Sequence, residues 1–205
     1  MTYYASREIL RLFLKLVGRL RVVGADNVPK SGGVILAPNH ISDLDPPTAG
    51  MGTSRLVHFM AKEELFHSRF MATWMRSVGT FPVRRGSADR RAIKQVLDYL
   101  EHGEVVCVFP EGTRSPDGKL QHAELGIGMF ALKSRAAVVP VAITGTNKVF
   151  PPHGKRLHFR QITVEYGKPL TFPDLYDLKE SRESYGEVGR RVISAIAEMQ
   201  SEVTR

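Results

Sequence analysis

The chain has 205 residues, 42% apolar and 24% charged, which suits one folded domain with a single sizeable core and excludes a disordered, collagen-like or disulfide-scaffold chain. Lys plus Arg number 29 against 21 Asp plus Glu, a formal net charge of +8, so an anionic partner is expected: nucleic acid, a phosphorylated small molecule or an acidic membrane face. The single cysteine, Cys107, excludes an internal disulfide, no zinc spacing is present, and no apolar stretch is long enough to span a bilayer.

The N-terminus is too broken by charge to read as a secretory signal. Residues 6–20 predict a helix. On a wheel of about 100° per residue, Arg7, Arg11, Lys15 and Arg19 form one stripe. Ile9, Leu10, Leu12, Phe13, Leu16, Val17 and Leu20 cover most of the opposite side, with Leu14 at the border. Such a helix either packs its apolar side on the body or lies in a headgroup layer with its cations on anionic lipid. The helix alone leaves both open.

Short β-rich runs follow at 21–23, 33–37, 56–60, 80–83, 105–109, 138–143 and 158–166. Helical patterns lie at 68–78, 88–102, 124–134 and 181–203. Strands alternating with helices predict a single layered α/β domain with a largely parallel, mixed sheet. Residues 1–19 form its N-terminal amphipathic helix and 20–205 the domain proper. In the apolar run around it, Cys107 reads as a small buried strand residue.

In such a sheet, chemistry gathers beyond the carboxyl ends of the strands. The run 33–37 leads into Pro38-Asn39-His40-Ile41-Ser42-Asp43-Leu44-Asp45. A carboxylate on one imidazole nitrogen fixes the tautomer and leaves the other to take a proton. No serine nucleophile stands out, so His40 would take the proton of the substrate's own hydroxyl, with Asp45 as its partner. A capping histidine beside helix-start residues is the plainer alternative for so short a pattern.

Gly79-Thr80-Phe81-Pro82-Val83-Arg84-Arg85-Gly86 ends another strand with paired arginines before a helix start, a fitting place for phosphate. Two surface arginines would look the same. Phe109-Pro110-Glu111-Gly112-Thr113-Arg114-Ser115 follows the most apolar strand. There Arg114 can clamp a phosphate and Gly112 can let backbone approach a ligand. Glu111 is expected to hold an arginine or a loop, and the backbone near Gly112 is the expected oxyanion donor. The run 138–143 reads as a buried strand, with an acyl-chain wall as the alternative.

Together and in this order these runs resemble the 1-acylglycerol-3-phosphate acyltransferases, a family of glycerolipid acyltransferases. The family's first motif, Asn-His-x-Ser-x-x-Asp, matches Asn39, His40, Ser42 and Asp45. Its second matches Gly79, Phe81, Pro82, Val83, Arg85 and Gly86; its third is complete from Phe109 to Ser115; its fourth matches Val139 to Val141. Lys62 matches a lysine between the first two. Arg84 stands where an acidic residue is often found, and Glu124 where many relatives carry lysine.

The resemblance implies an αβ-acyltransferase fold, His40 as general base and Asp45 as its partner. It implies phosphate or acceptor binding at Arg85, Arg114, Arg84 and Lys62, with Asn39, Ser42, Glu111, Gly112, Thr113 and Ser115 shaping the site. The reaction would move an acyl group from acyl-CoA or acyl-carrier protein to lysophosphatidic acid, giving phosphatidic acid for phospholipid synthesis. No cofactor, metal or nucleic acid is expected. The enzyme would work peripherally on an anionic membrane surface, at the cytoplasmic side of the cell membrane. The same chemistry on glycerol-3-phosphate, a lysophospholipid or a lyso-aminolipid, or a thioester hydrolase, are the competing readings.

Overall fold

A computed structural model describes residues 2–84, 89–151 and 157–203. Seven strands form one sheet: β1 (Arg21–Val23), β2 (Val34–Pro38), β3 (Val57–Lys62), β4 (Thr80–Val83), β5 (Val105–Cys107), β6 (Ala137–Thr144) and β7 (Thr163–Tyr166), in the order β1-β7-β6-β2-β5-β3-β4. Only β6 and β7 pair antiparallel; the other neighbours are parallel. The α/β class and the mixed, mostly parallel sheet are therefore as the sequence predicts.

The five adjacent strands β6, β2, β5, β3 and β4 run the same way, so the segments that follow them emerge at one edge of the sheet. That edge receives His40, Phe109 to Ser115, Lys62, Arg84 and Gly145-Thr146.

The central strands are buried on both faces, as parallel strands require, while the edge strand β1 is largely exposed. All five residues of β2 are buried. Ile35 and Ala37 join Val106 and Val138 on one face, under α4 (Arg90–Glu101), α5 (Leu125–Ser134) and α8 (Arg182–Val203). Val34 and Leu36 join Val105, Cys107, Val139 and Val141 on the other. This alternation is the period-two geometry of a strand. Val139 and Val141 lie fully inside this core, so the run reads as strand. Pro140 sits at the end of the β6–β7 ladder, where its carbonyl still accepts from Gly167 N at 2.9 Å. A proline is tolerated where no ladder donor is needed.

Helix α1 (Thr2–Gly18) places Leu14 against Met51, Val149 and Ile162. Leu10, Phe13 and Val17 pack on the same cluster. Burying such side chains stabilises the docked helix by about 1.5–3 kcal/mol for each one fully buried. The cationic stripe is divided: Arg7 Nη1 donates to Thr53 O at 2.7 Å and Arg11 Nη2 to Met51 O at 2.5 Å, while Lys15 and Arg19 are exposed. Ile9, Leu12 and Leu16 are exposed as well. The apolar arc is therefore split between the core and the outside.

Two strand expectations run long. The run 105–109 is strand only to Cys107, and 158–166 only from Thr163. Ile162 instead ties α1 to β1, its N–H donating to Gly18 O at 2.6 Å and its carbonyl accepting from Arg21 N at 2.9 Å. The short helices α6 (Thr146–Val149) and α7 (Pro173–Tyr176) are below the length that side-chain periodicity can reveal.

Candidate active site

β2 delivers His40 to the edge of the sheet where the parallel strands end, and a turn returns the chain to α2 (Asp45–Ala49). His40 Nδ1 lies 2.9 Å from Asp45 Oδ2. A carboxylate only accepts, so Nδ1 carries the hydrogen and Nε2 is left as the basic nitrogen. Asp45 is fully buried. Its Oδ2 also accepts from Ile41 N at 2.5 Å and Ser42 N at 2.6 Å, and its Oδ1 from Thr146 Oγ1 at 2.6 Å. These donors offset the cost of burying the charge. The arrangement is more than a helix cap, because one carboxylate joins the imidazole, the turn and the start of α6 (Thr146–Val149) beyond β6.

The remaining motif residues hold this pair in place. Asn39 grips β6, its Oδ1 accepting from Ile143 N at 2.7 Å and its Nδ2 donating to Ile143 O at 3.0 Å. Glu111 accepts from His40 N at 2.8 Å and from Gln121 N at 3.0 Å, so it fixes loops rather than an arginine. Burial pushes the Glu111 carboxyl above its ordinary value, while those two N–H groups pull it back. Ser115 N donates to His40 O at 2.8 Å. Ser42 Oγ accepts from Leu44 N at 3.3 Å. The Phe109 ring stacks on His40 at 4.1 Å.

Gly112 has φ +67, and a Cβ there would come within 2.9 Å of the Glu124 side chain. Its N–H is already given to Phe109 O at 3.1 Å, so it is not a ready oxyanion donor. Thr113 beside it is exposed.

The cations divide. Arg114 reaches the His40 turn, where Nη1 pairs with Asp43 at 2.6 Å. Lys62 is exposed at the end of β3. Arg84 is engaged by Glu63 at 2.7 Å, and that carboxylate raises the guanidinium further above its ordinary value. Arg85 lies outside the described residues. Among the described residues no His, Cys, Asp and Glu group could hold a metal ion.

Sequence reasoning missed Thr146, the aromatic backing of Phe109 and the competing carboxylate Asp43. The signal for Thr146 was available: Gly145-Thr146 follows an apolar strand at the same sheet edge as His40.

A family model described as Acyltransferase matches residues 19–144. The 1-acyl-sn-glycerol-3-phosphate acyltransferase of Bacillus subtilis (strain 168) is 30% identical over 204 residues, covering 98% of each chain. The enzyme of the same name from Borreliella burgdorferi is 28% identical over 153 residues, 73% of this chain and 61% of that one. The crystal structure of the 1-acyl-sn-glycerophosphate acyltransferase PlsC from Thermotoga maritima superposes with a TM-score of 0.68 at 27% identity, over 93% of this chain and 81% of that one. With the first and third motifs brought together at one edge of the sheet, these matches place the chain in the acyltransferase family, as an O-acyltransferase akin to the 1-acyl-sn-glycerol-3-phosphate acyltransferases.

Proposed function

We propose that this enzyme transfers a fatty acyl group from acyl-CoA or acyl-carrier protein to the free hydroxyl of 1-acylglycerol-3-phosphate, giving phosphatidic acid. The observation that carries the chemistry is the His40–Asp45 hydrogen bond of 2.9 Å, with Asp45 buried and its remaining contacts all hydrogen-bond donors. His40 Nε2 takes the hydroxyl proton as the oxygen attacks the thioester carbonyl. Asp45 stabilises the imidazolium that forms. The tetrahedral intermediate then collapses with expulsion of the thiolate, which needs little acid help because thiols are far more acidic than alcohols. General-base assistance is worth about 10²–10⁴-fold. Positioning and stabilisation of the oxyanion supply the rest.

The acceptor's phosphate is assigned to Arg114 and Arg85, with Lys62 and Arg84 at the rim. The cationic edge favours this acceptor over water, which needs no clamp. A peripheral site at the cytoplasmic face of the membrane, with α1 as one contact through Ile9, Leu12 and Leu16, fits a lipid acceptor. No helix among the described residues is long and apolar enough to cross a membrane.

The test is to incubate purified protein with labelled palmitoyl-CoA, then with palmitoyl-acyl-carrier protein, against lysophosphatidic acid, glycerol-3-phosphate, other lysophospholipids and no acceptor. Phosphatidic acid formed only with lysophosphatidic acid supports the reading. Acceptor-independent free fatty acid, or preference for another acceptor, overturns it.

A further inference from the structure

Helix α3 (Arg69–Ser77) is amphipathic in the wrong sense for a helix packed on a core. Its one buried residue is the small Ala72. Phe70 is 80% exposed, Trp74 47% and Met71 40%, and Leu65 in the preceding turn is 52% exposed. At about 100° per residue Phe70, Trp74 and Met71 occupy one outward arc of about 100°. Isolated exposed apolar residues need no explanation, but a contiguous group on one helix marks an interaction surface.

Charge and position indicate what covers it. Arg69 and Arg76 lie on the helix itself, and Lys62 and Arg84 stand at the ends of β3 and β4; against them are Glu63 and Glu64, of which Glu63 is already paired with Arg84. Arg76 lies over the Phe66 ring at 5.9 Å from its centre. The turn carrying Leu65 leaves the end of β3 at the catalytic edge. Trp and Phe flanked by arginines suit the headgroup boundary of a bilayer, where ring bodies sit among acyl chains and cations meet phosphate.

We propose that the α3 face formed by Leu65, Phe70, Met71 and Trp74 inserts into the surface of an anionic bilayer and brings the His40 edge to lipid substrates. The choice of a bilayer over a protein partner rests on the lipid acceptor proposed above. This contact is separate from the outward stripe of α1. A short helix that buries little beyond Ala72 and part of Met75 gains burial without exposing any core residue.

Trp74 is the only tryptophan, so the intact protein carries its own reporter. With vesicles of phosphatidylcholine mixed with phosphatidylglycerol, Trp74 emission should move to shorter wavelength and be quenched by chain-brominated lipids. The double variant Phe70→Ser, Met71→Ser keeps the reporter and should lower the vesicle partition coefficient by roughly tenfold or more. Circular dichroism and thermal midpoint should stay at the wild-type values, because both side chains are exposed. Flotation with vesicles but no emission change, or unchanged partition of the double variant, overturns the proposal. A concentration-dependent emission shift in vesicle-free buffer, accompanied by dimerisation, overturns it in favour of a second copy. None of these measurements needs turnover, so failure of the acceptor assay and failure of insertion are read separately.

Discussion

Thr146 donates to Asp45 Oδ1 at 2.6 Å, the oxygen that His40 leaves unused. The carboxylate is thus fixed from the segments that follow β2 and β6, two strands that are neighbours in the sheet. Its plane, and so the direction of the imidazole, depends on a residue 101 positions away in sequence.

Thr146→Val keeps the shape and removes the donor. A hydrogen bond to a charged group is worth about 1.5–3 kcal/mol, so kcat should fall by about tenfold or more. KM for both substrates should change little. In the background of His40→Ala the same substitution should cost nothing further, because groups that act as a unit are not additive. Steady-state kinetics on the three variants checks this.

His40→Ala should lower kcat by about 10²–10⁴-fold while the thermal midpoint stays near wild type, since the ring lies at the edge of the core. Asp45→Asn should behave differently. Its amide nitrogen would face N–H and O–H donors on the turn and Thr146, so the variant should lose stability as well as turnover. Calorimetry alongside the acyl-transfer assay separates the two behaviours.

Arg114 must leave Asp43 to hold a phosphate. Exposed ion pairs are worth about 0–1 kcal/mol, so Asp43→Ala should tighten the phosphate-bearing acceptor by up to about fivefold. Arg114→Ala should weaken it. KM for lysophosphatidic acid, measured with both variants, should therefore move in opposite directions.

His58 is buried and stacks on Tyr99 at 3.7 Å. Burial lowers its imidazole below the ordinary 6.5, with Glu104 pulling partly the other way. The folded chain thus holds this proton more weakly than the unfolded chain. Its contribution to stability is complete above 6.5 and is lost as pH falls through the depressed value. His58→Phe keeps the stack and removes the titration. The drop in Tm between about pH 7 and about pH 5 should be smaller in the variant than in wild type.

The strands were legible because β2, β5 and β6 are apolar on both faces and bounded by turn residues. His40 and Asp45 could be paired because only four residues of turn lie between them, a local relation. Thr146 was marked only by its place after an apolar strand, since its contact with Asp45 arises only when β6 lies beside β2. The sidedness of α1 was half legible. Periodicity locates the apolar arc, but only the 51–54 loop, with its free carbonyls, turns Arg7 and Arg11 inward and Ile9, Leu12 and Leu16 out. Likewise α3 shows helical spacing in sequence, yet nothing there says that Ala72 is the residue taken inside.

Cys107 is sealed within the sheet, and burial pushes its thiol far above the ordinary range. With no other cysteine in the chain, the folded enzyme presents no reactive sulfur of its own. A disulfide dye added to the reaction will therefore report only the thiol set free by each acyl transfer. A CoA donor can be followed continuously by absorbance without protecting the protein, and dye consumption by the chain itself becomes a direct signal that the sheet has opened.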